Sequence, residues 1–452
     1  MIAVEGTRVQ ELRASFRGDL ISPEDDGYDL ARKVWNGMID RRPALIARCS
    51  GVADVIAAVN FARGNGLPVS VRCGGHNVAG SAVCDDGVVI DLKRMNSVRV
   101  DPAARTARAG GGATWGDFDR ETQVFDLAST GGLISTTGIG GLTLGGGIGW
   151  LAGKHGLACD NLISADVVAA EGRLLTASAK ENEDLFWAIR GGGGNFGVVT
   201  SFEYQLHPVG PMVFGGMIAY PLEKTRDVLR LYRQLIGSIP EEMTVYCGVT
   251  GSPEGELMVV IVVAYFGPPA EGERLVRPLR EFGPPLMDAL GPLPYTALQQ
   301  MLDETAPPGE LNYWKSDFLS GLSDEALEIF AAHATTMPSP RTLALIEHLH
   351  GAYNRQNSGA FAQRGSNINV VIASTWTDAA DTERNIQWTR DFAAALKPFS
   401  TGGVYVNYLG DEGEERARAA YGASYERLAM IKQKFDPANL FRSNQNIKPA
   451  GR

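Results

Sequence analysis

A histidine stands directly after two glycines in Val69-Ser-Val-Arg-Cys-Gly-Gly-His-Asn-Val-Ala-Gly80, where a short apolar run ends. Its imidazole sits in a loop whose missing Cβ atoms let a ligand come close to the backbone. Glu347 is a second anomaly. In Leu343-Ala-Leu-Ile-Glu-His-Leu-His350 the odd positions make one apolar strand face, and Glu347 falls on it. A carboxylate there is either desolvated, with a raised pKa suited to proton transfer, or paired with an Arg or Lys.

Glycine is the compositional outlier, 54 of 452 residues, against about 7% in average usage. It gathers at 74–80, at 110–112, in Gly131-Gly-Leu-Ile-Ser-Thr-Thr-Gly-Ile-Gly-Gly-Leu-Thr-Leu-Gly-Gly-Gly-Ile-Gly149, and in Arg190-Gly-Gly-Gly-Gly-Asn-Phe-Gly197. Several such loops can turn successive backbone N–H groups onto a diphosphate. Gly192–Gly197 has the letters of the dinucleotide fingerprint, but a helical Glu183-Asp-Leu-Phe-Trp-Ala-Ile-Arg precedes it and a strand follows. That order is the reverse of strand, turn, helix, so a Rossmann site is excluded. Gly147-Ile-Gly-Trp-Leu-Ala152 fits the looser form without a strand before it.

The elements that must carry these groups follow from periodicity. Residues 51–64 place Val52, Val55, Ile56 and Val59 on one helical face. Short strands at 44–48, 69–72 and 87–92 complete a βαβ-like opening. Two hairpins are expected, 97–100 with 106–109 and 165–170 with 173–176, so pairing in the first half is mixed. His207-Pro-Val-Gly-Pro211 ends the strand 198–206 and marks a boundary. Beyond it, strands at 256–266, 342–350, 367–376 and 404–408 alternate with helices such as the one beginning at Asp324, indicating a second domain on an antiparallel sheet. The tail from Glu415 to Asp436 reads as helical.

The balance of charge, −10 with no basic run, argues against nucleic acid. No apolar run approaches the roughly 20 residues of a membrane span, so a soluble cytoplasmic protein is expected. The five cysteines (Cys49, Cys73, Cys84, Cys159, Cys247) lack metal-ligand spacing, so neither metal nor disulfide is expected.

Four segments in this order, Arg72-Cys-Gly-Gly-His-Asn77, Thr137–Gly149, Asp184–Val199 and Asn444-Gln-Asn-Ile447, together resemble the berberine-bridge-enzyme-like flavin oxidases of the vanillyl-alcohol-oxidase and 6-hydroxy-D-nicotine-oxidase superfamily. The resemblance implies an α+β, two-domain FAD-binding flavoprotein of the PCMH type. An FAD-binding domain (1–209) and a returning C-terminal segment (410–452) would hold the cofactor, and a central antiparallel-sheet substrate domain (210–409) would roof it.

Carried over residue by residue, the family pattern makes His76 the covalent 8α link to FAD. Arg72, Cys73, Gly74, Gly75 and Asn77 would bind the cofactor around it. So would Thr137, Gly138, Gly140, Gly141, Leu142, Gly146 and Gly149 in the second segment, Gly197 and Val198 in the third, and Asn444 and Asn446 in the last. Many members carry a second, cysteine link in Gly-x-Cys-x-x-x-Gly; here Ile134 stands at that place in Gly132–Gly138, so one attachment is expected. Val404-Tyr-Val-Asn-Tyr408 is similar to the family's Tyr-x-Asn-Tyr segment, where a tyrosine deprotonates the substrate. On a strand, Tyr405 and Asn407 would share one face and Tyr408 take the other, which favours Tyr405 as base, with Glu347 the rival and Tyr408 a further candidate. Tyr313 and Lys315 are weaker pocket candidates. Val371 and Asn369 depart from residues common in relatives, so alkaloid or sugar specificity does not transfer.

The activity implied is hydride transfer from a small or medium alcohol, amine or polyketide-like phenolic, with O2 as acceptor and H2O2 as product, in a monomer or homodimer. Thr137, Leu142 and Tyr246 also resemble the pocket of the enterocin-pathway flavin oxygenase, which leaves an oxygenase as an alternative. An oxygen-excluding dehydrogenase, or a flavin-binding protein without turnover, are the others.

Overall fold

A computed structural model of the chain describes residues 6–355 and 359–451. The first glycine loop hangs from a small sheet. Strands Leu45–Arg48, Val88–Asp91 and Val69–Arg72 pair in parallel, with Asp19–Ile21 antiparallel on the outer edge. Helix Val52–Gly64 makes the crossover, burying Val55, Ala58, Val59 and Ala62. Val52 and Ile56 lie at the rim of that core, so the buried stripe is shifted slightly from the one expected.

A second, antiparallel sheet runs Val98–Asp101, Thr106–Gly110, Val198–Gln205, Leu162–Val168, Leu174–Ser178. Both expected hairpins are present in it. The chain then crosses through a two-residue pairing of His207–Pro208 with Leu127–Ala128 and enters the largest sheet.

That sheet is eight-stranded and antiparallel. From its middle to one edge it runs Leu257–Tyr265, Met243–Gly251, Leu343–His348, Ile368–Trp376 and Leu311–Leu319 in spatial order. Helices Thr225–Ile236, Asp324–Ala334 and Thr382–Leu396 cover one face, packing Tyr232, Phe330 and Phe392 on Ala344, Ile346, Val370 and Ile372. Each such buried aliphatic side chain contributes about 1.5–3 kcal/mol. The alternate residues Leu345, Val371 and Ala373 face the other way, toward the glycine-rich segments. Alternation therefore decides which side chains reach the site.

Residues 404–408 are not a strand. Tyr405 is extended, and Val406–Tyr408 form a single 3-10 turn. The neighbouring strand Leu311–Leu319 is bridged only as far as Ser400 and Gly403. Beyond them Asn407 docks elsewhere, its amide donating to the Leu142 carbonyl at 3.0 Å. A side-chain anchor on the glycine-rich segment has displaced sheet pairing.

The helices Glu414–Tyr421 and Tyr425–Phe435 lead the tail back to the fourth glycine cluster. Lys432, fully buried, donates to the Asn195 and Phe441 carbonyls and to Asp436. Asn195 accepts from the Ile447 N–H at 3.0 Å. Among the described residues no helix is long and apolar enough to cross a membrane, and no group of side chains could hold a metal ion.

Candidate functional site

One cavity joins the glycine clusters to the inner face of the large sheet. At its glycine end the main chains of two loops touch: a Cβ on Gly74 would lie 2.4 Å from the Gly138 nitrogen. Cys73, Gly74, Gly75, His76 and Asn77 line it, with Thr137, Gly138, Gly140, Gly141 and Leu142 opposite and Gly193, Gly194, Gly197 and Asn444 beyond.

His76 is held on two sides. Its Nε2 lies 3.0 Å from the Thr136 hydroxyl, and Trp35 stacks on the ring at 5.4 Å between centroids. Burial pushes the imidazole down to about 4, against a small opposing pull from Asp303. It is therefore neutral at pH 7, with a lone pair available. Cys73 is no thiolate, because burial raises its thiol to about 11.

Several residues expected to bind the cofactor do not reach the cavity. Arg72 turns its guanidinium away to Asp91 at 2.7 Å and to the Lys33 carbonyl, bracing the loop from behind. Gly146 and Gly149 are tight packing points against Phe361 and the Gly131 carbonyl. Val198 lies in the core, and its neighbour Val199 lines the cavity, as strand alternation requires. Asn446 lies off the cavity wall, which the consecutive residues Ser443, Asn444 and Gln445 form instead.

The glycine end fits FAD. Gly141 and Gly194 have nothing within 4 Å where a Cβ would project, so their backbones stand open. Asn444 Oδ1 is buried without a partner among the described residues and belongs to the cavity wall. A buried acceptor of this kind awaits a donor from a ligand.

At the opposite end, Glu347 is fully buried on the cavity wall. Asn369 donates to one of its oxygens at 2.7 Å and Tyr408 to the other at 2.9 Å. No Arg or Lys pairs with it among the described residues, and burial pushes its carboxyl up to about 7. The desolvated alternative for Glu347 is the one realised, and the departure at Asn369 supplies its partner.

Tyr405 differs. Its phenolic oxygen accepts three N–H groups, from Gly147 at 3.0 Å, Ile148 at 3.2 Å and the Asn407 amide at 2.8 Å. Burial holds this phenol well above the ordinary tyrosine range, and the three donors oppose that only in part. No acceptor for its own proton is present among the described residues, so the surroundings are complementary to a phenolate. Tyr408 is not on an opposite face: the turn brings its ring to 4.8 Å from that of Tyr405, edge to face.

Tyr246 pairs in register with Glu347 but stacks on Trp150 at 5.5 Å, and its hydroxyl is buried without a partner among the described residues. It is not on the cavity wall, whereas Thr137 and Leu142 are. Tyr313 and Lys315 also point away, to Arg390 and Glu412. Asn312 and Trp314, the alternate residues of that strand, line the cavity instead, as do Trp35 and Arg341. Only strand parity could have picked out Asn312 and Trp314 from the sequence.

Known proteins agree with this geometry. A profile of FAD binding domains matches residues 43–178, and one of berberine and berberine-like proteins matches residues 404–448. The chain is 33% identical over 448 residues to an FAD-linked oxidoreductase of Dictyostelium discoideum, spanning 98% of this chain and 97% of that one. It is likewise 33% identical over 451 residues to (R)-6-hydroxynicotine oxidase of Paenarthrobacter nicotinovorans, spanning 97% and 98%. The crystal structure of 6-hydroxy-D-nicotine oxidase from Arthrobacter nicotinovorans is similar at a TM-score of 0.86 and 30% identity, over 96% of this chain and 98% of that one. Berberine bridge enzyme, at 20% identity, shares the fold with a TM-score of 0.89 over 99% of each chain. The chain belongs to the berberine-bridge-enzyme-like FAD-linked oxidoreductases of the vanillyl-alcohol-oxidase superfamily.

Proposed function

We propose that the protein is an FAD-linked oxidase of a small or medium alcohol, amine or phenolic, with O2 as electron acceptor. The observation that carries this reading is the single cavity running from His76 and the glycine loops to Tyr405, Tyr408 and Glu347. Bound FAD would supply the two-electron acceptor for hydride from a substrate C–H bond, with O2 as the final acceptor giving H2O2. His76 is its one covalent link, and Ile134, at the cavity wall without a thiol, leaves no second. Residues 1–209 and 410–452 hold the cofactor and 210–409 the substrate.

Ionised Tyr405 receives the proton released as hydride leaves the substrate, and three N–H donors stabilise that form against the burial that disfavours it. Glu347 and Tyr408 hold the polar group of the substrate at the buried end. The walls between are mostly apolar or aromatic, Trp35, Trp314, Leu343, Leu345, Val371 and Ala373 among them, and two polar wall residues, Thr375 and Asn312, are bonded to each other at 2.8 Å. Arg341, the cation on this wall, is already paired with Glu310 at 2.6 Å. Such a lining suits an apolar molecule with one polar handle rather than the sugars named for xylooligosaccharide oxidase, a structural relative at 25% identity. The five unpaired thiols accord with a cytoplasmic protein.

An anaerobic substrate panel, read by flavin bleaching and followed by admission of air, tests the reading. Rapid recovery of colour with peroxide is expected. Reduced flavin that persists in air would mean a dehydrogenase, and label from 18O2 in the product an oxygenase. Bleaching by no compound in the panel would mean flavin binding without turnover. Acid-precipitated protein should stay yellow, and His76→Ala should release its FAD.

A further inference from the structure

Two groups hold the His76 ring, and both are anchored to one segment of the central, sheet-bearing part of the chain. Ser135, beside Thr136, donates its N–H to one oxygen of Asp303 at 2.7 Å and its hydroxyl to the other. Thr136 itself is exposed, so its own packing does not fix it; the bidentate grip on Ser135 does. The hydroxyl of Thr136 is the one hydrogen-bond partner of the imidazole among the described residues.

The second group is Trp35. Its indole N–H donates to the Ala306 carbonyl at 2.8 Å, and its own carbonyl accepts from Gly309 at 2.8 Å. Asn36 and Asn312 exchange two further hydrogen bonds. The segment from Asp303 to Asn312 therefore clamps both the stacking partner and the hydrogen-bonding partner of His76. Asp303 has no cationic partner among the described residues, and its negative charge acts on His76.

We propose that Asp303 is the positioning residue for covalent flavin attachment, setting the His76 ring through Ser135 and Thr136. This rests on His76 being the covalent link. The lone pair of an imidazole nitrogen forms the bond to the flavin 8α-carbon, one C–H bond of the 8-methyl group breaks, and the imidazole gives up its remaining N–H proton. Two electrons stay on the flavin and pass with both protons to O2, so one O2 becomes one H2O2. The ring is cationic between attack and proton loss, and the Asp303 carboxylate favours that charge. Asp303 thus fixes ring orientation and opposes the charge that forms.

The test uses the full-length holoprotein and its Asp303→Asn, Asp303→Ala and Thr136→Val variants. Total bound FAD is read from the visible spectrum, covalent FAD from fluorescence retained after acid precipitation and denaturing electrophoresis, and folding from Tm. The covalent fraction should fall at least fivefold in Asp303→Ala and Thr136→Val and by less in Asp303→Asn. Combining Asp303→Ala with Thr136→Val should lower it no further. An unchanged covalent fraction in Asp303→Asn and Thr136→Val together overturns the proposal, as does a loss that only follows Tm or total FAD. Colour that washes out of the unmodified protein refutes the His76 link instead, a distinct outcome.

Discussion

At the His76 end of the cavity the main chain is the wall, whereas at the Glu347 end side chains from separate segments meet. Gly74 and Gly138 approach so closely that neither tolerates a Cβ. Tyr405, Tyr408, Glu347 and Asn369 reach one another from a turn and two strands. The first end is stiff because its contacts are backbone contacts, suited to a cofactor that stays. The second varies by single side chains, suited to setting which substrate reacts.

The strongest way to break this comparison is Tyr405→Phe. Losing the phenolic oxygen that accepts three N–H groups should lower the anaerobic bleaching rate by about 10²–10⁴-fold, the usual worth of a general base. FAD content should hardly move, while Tm should fall by a few degrees because buried N–H groups of Gly147, Ile148 and Asn407 lose their acceptor. A rate within threefold of the parent would assign the proton to Glu347. Next in size is Gly138→Ala, whose Cβ would sit 2.3 Å from the Gly74 nitrogen and 2.4 Å from Cys73 Sγ. Because backbone cannot give way cheaply, the variant should purify with less than a tenth of its FAD. Full occupancy would show that the two loops can part.

The same contrast explains what could be read from the sequence. Gly74 and Gly138 announce themselves because close backbone approach admits no other residue type, and Gly75 because its φ is +76°. Glu347 was legible for a related reason, a charge on an apolar strand face. Gly146 and Gly149 carry the same letter for a different purpose, packing against Phe361 and the Gly131 carbonyl, and spacing cannot separate the two uses. Nothing in the sequence announces the strands Met212–Pro221, Met243–Gly251 and Leu311–Leu319. Without the last of these, parity along 311–319 is hidden, and Tyr313 stands out in the sequence ahead of Asn312 and Trp314, which line the cavity. Residues 404–408 have strand-forming composition, but the Asn407 bond to Leu142, distant in sequence, decides their conformation.

Glu347→Gln should have a smaller effect, and one that depends on pH. Burial raises the folded carboxyl from 4.5 to about 7. The folded state then binds more protons than the unfolded chain between those values. Stability is full below about 4.5 and falls as pH rises toward 7, at up to about 1.4 kcal/mol per pH unit. Glutamine removes that penalty. Asn369 Oδ1, now without a partner, can accept from the new amide once Asn369 flips. Tm at pH 8 should rise by a few degrees, and any limb near pH 7 in the rate profile should vanish. A Tm that falls at pH 8 would mean that the carboxylate is stabilised by a group other than Asn369 and Tyr408.

The smallest effect expected comes from Tyr313→Phe and Lys315→Met, in the strand that also carries Asn312 and Trp314. Tyr313 meets Arg390 on the outer surface, and Lys315 pairs with Glu412. The exposed Tyr313–Arg390 contact contributes about 1 kcal/mol or less, and when Lys315, whose pair with Glu412 is largely buried, is replaced, Arg416 still pairs with that carboxylate. Neither substitution should change KM or kcat by as much as twofold. Trp314→Ala, one residue away but on the cavity face, should raise KM by about tenfold through lost apolar contact, on the order of 1.5 kcal/mol. Adjacent residues would then differ in effect only because a strand turns successive side chains to opposite faces. Equal effects at 313 and 314 would mean that the substrate does not bind against this sheet, and the side-chain-built end of the cavity would have to be sought elsewhere.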